Sequence, residues 1–192
     1  RDGTPRTIVF VPEGKHKEVK QFCYKPGYRN SLMDHAVAGV REQAIVCQPK
    51  YSVATGVRVD DLPLVRTLFD GSGIKVLNPN ISLIQEHRQV FLDLCTRVDL
   101  VVVNHEEAAA LIGKDPNSFN APDDVMVFTD STRAKEVLVT FNSHGSSYCQ
   151  PTSPTKCNYY HVPSEQCEVI DPTGAGDAYL AGYLFFRLKG ES

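Results

Sequence analysis

The chain of 192 residues has no tryptophan and only two methionines, and no stretch approaches the ~18 uninterrupted apolar residues of a membrane-crossing helix. A membrane-spanning role is not expected. Charge of one sign is equally scarce, since 20 Lys and Arg stand against 23 Asp and Glu for a formal net charge of -3. With no basic footprint for a polyanion, nucleic acid is not an expected partner. The six cysteines (Cys23, Cys47, Cys95, Cys149, Cys157, Cys167) contain no Cys-x-x-Cys pair. Their even count leaves a disulfide framework open, but a chain of this size can build a core without staples. Cys149, Cys157 and Cys167 lack the paired spacing of a metal site, and the six histidines lack ligand spacing too and read as surface or loop residues. No charged-then-apolar leader follows Arg1, so the expected setting is a reducing, cytoplasmic one.

What is present is an ordinary globular composition, 42% apolar and 22% charged. Residues 7–12 and 18–24, joined by a turn containing Gly14, read as a hairpin with one wet face. From Gln43 onward the grammar changes. Short apolar runs at 44–47, 74–77, 100–103 and 137–139 alternate with amphipathic stretches at 60–69, 81–96, 106–112 and 123–135. Strands alternating with helices imply parallel crossover units, hence an α/β domain with helices on both faces of the sheet. Two short β pieces follow, Ser147–Gln150 and Tyr159–Val162, and an apolar helix runs from Gly174 to about Lys189. Its Leu180, Leu184, Phe185 and Leu188 are expected to lack sufficient cover within the chain, which would leave the chain poorly stable by itself.

The most informative string is Asp171-Pro172-Thr173-Gly174-Ala175-Gly176-Asp177-Ala178, in which a strand-like run enters a glycine-rich turn that opens a helix. The amides of Ala175, Gly176 and Asp177 are expected as unpaired first-turn donors converging on one point, which suits a phosphate. Asp177 places a carboxylate beside that point. No Gly-Lys-Ser/Thr follows and the third glycine of a dinucleotide fingerprint is missing, so neither a Walker loop nor a Rossmann turn is spelled out. Asn104-His105-Glu106-Glu107 leaves an apolar strand and opens a helix, and reads equally as an Asn cap with first-turn acids or as hard oxygen donors for magnesium.

The 171–178 string resembles the signature of the ribokinase-like (PfkB) carbohydrate kinases, and two further strings agree in order. Asn104 to Glu107 resembles that family's Asn-x-x-Glu element, and Thr140 to Gly145 its Thr-x-Gly-x-x-Gly strand end, with Asn142 in place of the middle glycine. Asn78-Pro79-Asn80 stands where the family has Asp-x-Asn-x-Arg, which weakens phosphate contacts there.

The resemblance implies a layered sandwich with a mostly parallel central sheet. Residues 1–30 would be part of a β lid, and 31–192 an α/β kinase core incomplete at both ends. It implies ATP-dependent phosphoryl transfer to a hydroxyl of a sugar-like small molecule. Gly174, Ala175 and Gly176 would form an anion hole and Asp177 would be the base. Asn104 and Glu107 would act on Mg2+ through water, and Thr140, Asn142, Ser143 and Gly145 would lie against the nucleotide. Asp171 and Thr173 would hold a monovalent cation such as K+, and Gln48 would touch the sugar. A homodimer or a companion segment would complete the fold. Two readings from another class stay open, a non-catalytic kinase-like scaffold or subunit and a nucleotide-binding regulatory module.

Overall fold

The structure is a computed structural model that describes residues 38–39, 50–71, 73–153 and 156–190. The expected hairpin and lid, the apolar run at 44–47 and Gln48 lie outside the described residues. Six strands form one sheet in the order β1 (Tyr51–Val57), β2 (Ile74–Pro79), β3 (Leu100–Asn104), β4 (Glu136–Thr140), β5 (Ser146–Ser153) and β6 (Lys156–Val162). The first four are mutually parallel, and β5 and β6 continue as an antiparallel edge. Helices α1 (Leu62–Phe69), α2 (Ile81–Glu86), α3 (Arg88–Cys95), α4 (His105–Ile112), α5 (Asp123–Thr132) and α6 (Ala175–Leu188) complete the described architecture.

β3 is apolar up to Asn104 and β4 at its three central positions, because both faces are covered there. Alternation then divides the side chains. Val101, Val103, Val137 and Val139 pack with Phe91, Ala108 and Phe128 in a core shared by α1 to α5. Leu100, Val102 and Leu138 point the other way and meet Leu180 and Leu184 of α6. Helices therefore cover both faces, as the alternating pattern implied. Among the described residues no helix is long and apolar enough to cross a membrane.

Several local expectations need correction. Tyr51–Val57 is a strand that apolarity does not announce, since Ser52, Thr55 and Gly56 interrupt it. The stretch 81–96 is two helices rather than one, because His87 leaves helical geometry at φ -132° and ψ 43°. α5 stops at Thr132, where Arg133 turns left-handed at φ 54°. Leu180 and Leu184 are buried against the sheet instead of uncovered, while Phe185, Phe186 and Leu188 are about half exposed. The histidines are not all superficial, for the His105 ring stacks on Phe141 with centroids 6.1 Å apart, and its Nδ1 is buried with no hydrogen-bond partner among the described residues.

Candidate active site

The carboxyl ends of β3 and β4 lie side by side, with Asn104 in register with Thr140. Both of the chain's motif-bearing helix starts gather near this edge. α6 begins from Gly174, whose φ of 78° and ψ of 2° lie in the left-handed region that glycine enters at little cost. No side chain caps the helix. Asp171 Oδ1 accepts the Thr173 amide at 2.9 Å, which bends the chain into the turn. The amide of Ala175 is not the free donor expected, because it is bonded to the Pro172 carbonyl at 3.1 Å. Gly176 and Asp177 have no acceptor for their amides among the described residues. Two unsatisfied N–H groups and the positive end of a 14-residue helix thus face outward together. Asp177, in the same turn, is solvent-exposed.

The opposing wall comes from the turn that closes β4. Phe141 donates its amide to the Gly145 carbonyl at 2.8 Å, folding residues 142–144 into one helical turn. Asn142 takes a φ of 51°, a left-handed conformation that Asn adopts more readily than other side-chain-bearing residues. Gly145 cannot be replaced in the same way. A Cβ there would lie 2.0 Å from the Val162 carbonyl oxygen and 2.8 Å from Pro163 Cα. The Ser164 hydroxyl, donating to the Ser143 carbonyl, closes the turn from outside.

Between these walls lies a cleft of about 480 Å³ that brings Thr140, Asn142 and Gly145 together with Ala175 and Gly176. Much of the rest of its lining is aromatic, formed by Tyr148, Tyr160, Tyr179 and Tyr183. Ser143 and Asp177 are not part of its lining, nor are Asn104 and Glu107. The tyrosines were not singled out from the sequence. Tyr179 and Tyr183 stand four and eight residues after Ala175, so helical spacing alone could have placed them on its face.

Asn104 and Glu107 behave differently from the α6 junction. Asn104 Oδ1 accepts the Glu107 amide at 2.8 Å, and Glu107 Oε2 accepts the Asn104 amide at 2.9 Å. This is a reciprocal capping box. Glu107 is only 8% exposed. Burial pushes its carboxyl up to about 7, against the Asn104 hydrogen bond that lowers it and with Glu106 adding repulsion. A buried carboxyl held near neutrality gains from a nearby cation, and its oxygens are the hard donors that Mg2+ takes. The pair therefore fits an outer-sphere magnesium role while also serving the helix.

Other sequence candidates fall elsewhere. Asn78 Nδ2 donates to the Val102 carbonyl at 2.8 Å and so ties β2 to β3. Asp171 and Thr173 share the turn described above and are exposed. No cluster of three or more His, Cys, Asp or Glu able to hold a metal occurs among the described residues.

The pfkB family carbohydrate kinase model matches residues 1–192. The chain is 31% identical over 111 residues to the 2-dehydro-3-deoxygluconokinase of Escherichia coli, covering 56% of this chain and 33% of the relative. It spans between 20% and 33% of the length of the curated relatives it matches. Its fold is similar to that of the adenosine kinase of Sinorhizobium meliloti, with a TM-score of 0.65, 23% identity, and 98% and 56% of the two chains covered. It is also similar to an E. coli protein likened to ribokinase II and solved with ATP and Mg2+, with a TM-score of 0.60, 19% identity, and 95% and 57% covered. With the whole described length matched and the glycine turn, the β4 strand end and the Asn104 cap arrayed at one sheet edge, the chain belongs to the pfkB family of carbohydrate kinases.

Proposed function

We propose that the complete protein is an ATP-dependent kinase that phosphorylates a hydroxyl of a sugar or sugar-like small molecule. The observation that carries this reading is the uncapped start of α6, where the Gly176 and Asp177 amides have no acceptor among the described residues and Gly176 lines the cleft with Thr140, Asn142 and Gly145. The names of the similar proteins, a sugar-acid kinase and a nucleoside kinase, support the acceptor class.

In this reading the acceptor hydroxyl oxygen attacks the terminal phosphorus of ATP, the bond to the bridging oxygen breaks, and ADP leaves. The Gly176 and Asp177 amides hold oxygens of the phosphoryl group in flight. Asp177 accepts the hydroxyl proton and fixes the direction of attack. A carboxylate at a helix N-terminus is a weakened base, but the loose transition state of phosphoryl transfer asks more for alignment than for early proton removal. Thr140, Asn142 and Gly145 form the wall against which the nucleotide lies. Mg2+, when bound with ATP, would neutralise phosphate charge, and Glu107 with Asn104 would hold its water shell.

The test is ADP release by the complete protein with a panel of sugars, sugar acids and nucleosides, for wild type and Asp177→Asn. Turnover in the variant should fall by about 10² or more with ATP affinity nearly unchanged. A wild type that binds ATP and transfers to no acceptor would establish a regulatory module instead, and one that does not bind ATP a scaffold.

A further inference from the structure

Phosphoryl transfer requires the nucleotide wall and the anion turn to hold a fixed separation, since misplacement by ~1 Å can cost ~10² in rate. These two pieces come from distant parts of the chain. Residues 163–174 form no helix or strand, and all but Ser164 are exposed.

The far end of α6 is well anchored. Leu180 and Leu184 sit in the core of the sheet's second face, and Arg187 grips Glu136 through two hydrogen bonds of 2.5 and 2.8 Å. Among the described residues, the one side-chain hydrogen bond from the first two turns of α6 to the sheet runs from the Tyr179 hydroxyl to Ser146 Oγ, at 2.6 Å.

Both ends of that bond are placed where the separation would be set. Ser146 immediately follows Gly145, is 7% exposed, and is held in register with Thr140 on one side and Val162 on the other. It moves only with the nucleotide wall. Tyr179 stands three residues after Gly176 and four after Ala175, on the helix face that lines the cleft with them. Its rigid ring, with two side-chain torsions, spans from the anion turn to the strand.

We propose that Tyr179 is a positioning residue, whose hydroxyl bond to Ser146 sets the spacing between the Gly174–Asp177 anion turn and the Thr140–Gly145 nucleotide wall. The inference rests on the kinase reading above. Because Leu180, Leu184 and Arg187 hold the helix independently, removing the hydroxyl loosens the spacing without detaching α6.

The experiment compares Tyr179→Phe, Ser146→Ala and the double variant with wild type in the complete protein. It reads steady-state kinetics, thermal midpoint, and hydrogen exchange of residues 141–146 and 174–178. Each single variant should lower kcat about ten-fold while the KM for ATP changes by less than about two-fold. The double variant should lose no more than either single, and both segments should exchange faster together. A purely structural role would lower the thermal midpoint and leave kcat intact well below it. Wild-type kcat in Tyr179→Phe, losses that multiply in the double variant, or faster exchange in one segment alone would each overturn the proposal. The exchange arm needs no turnover, so the two readings fail separately. Unchanged exchange in an active enzyme sinks the Tyr179 tie alone. Coupled exchange in a wild type that phosphorylates nothing sinks the kinase reading, and with it the catalytic consequence of the tie.

Discussion

Two helices start at the same edge of the sheet and treat their first-turn amides in opposite ways. α4 closes on itself, with Asn104 and Glu107 capping each other's backbone in a mostly buried corner. α6 starts from a left-handed glycine with no side-chain cap, and the Gly176 and Asp177 amides have no acceptor among the described residues. A helix start that satisfies itself can be explained by stability alone. A start that forgoes a cap, worth ~1 kcal/mol, invites a ligand to supply the missing acceptors. The contrast is what the kinase reading proposed above rests on, with phosphoryl binding assigned to α6 and a supporting part to α4.

The sharpest way to break the open junction is through its opposing wall. Gly145→Ala would drive a methyl group to 2.0 Å from the Val162 carbonyl oxygen at a backbone φ of 95°. The strand end would have to move, at a cost of about 4 kcal/mol in stability and with loss of ATP binding. Thermal melting and ATP titration of the variant check this, and a stable variant with normal affinity would mean that the wall is softer than its packing implies.

At the closed junction the next effect is a pH dependence. The folded-state pKa of Glu107 is raised by burial to about 7, above its value in the unfolded chain. Between those two values the folded state binds more protons than the unfolded one, so stability falls as pH rises. Relative to Glu107→Gln, the wild type should lose up to about 3 kcal/mol between pH 4.5 and 7.5. Denaturant unfolding of both proteins at several pH values reads the difference between their slopes, and parallel slopes would show that Glu107 is not its source. Mg2+ near this corner would hold the carboxylate ionised and flatten the slope.

Asn104→Ala should cost about 1 kcal/mol, the ordinary loss of a helix cap, because it frees the Glu107 amide. An effect on kcat several times larger than this stability change would move α4 from support to direct participation. The smallest effect belongs to Asn142→Gly. Asn142 already occupies a left-handed conformation at φ 51°, so the glycine should alter stability by less than about 0.5 kcal/mol and leave ATP affinity alone. Asn142→Val, unable to adopt that geometry cheaply, should lose about 1 to 2 kcal/mol.

The apolar runs at 74–77, 100–103 and 137–139 announced three of the parallel strands because those strands are covered on both faces. β1 escaped notice because Ser52, Thr55 and Gly56 dilute its apolar positions at the side of the sheet. The break at His87 and the stop at Arg133 depend on single backbone conformations that periodicity does not encode. At the site, the glycine turn was legible because its residue types are dictated by local backbone needs. The pairing of the Ala175 amide with Pro172 was not, since a turn of that tightness has no distinct spelling. Nor was the Tyr179 bond to Ser146, which joins residues 33 positions apart and exists only once α6 lies on the sheet. Asn104-x-x-Glu107 shows a different lesson, since a spelling that fits hard donors for magnesium is also that of the capping box the structure displays.

If the α6 start is open for phosphate while the α4 start is closed, their amides should respond differently to a nucleotide. Amide-resolved NMR of the complete protein, titrated with a non-hydrolysable ATP analogue and Mg2+, tests it most directly. The Gly176 and Asp177 amide protons should move strongly downfield as they gain phosphate acceptors, while the Ala175 and Glu107 amides, already bonded to Pro172 and Asn104, move little. Saturable binding of the analogue with Gly176 and Asp177 unmoved would contradict the account.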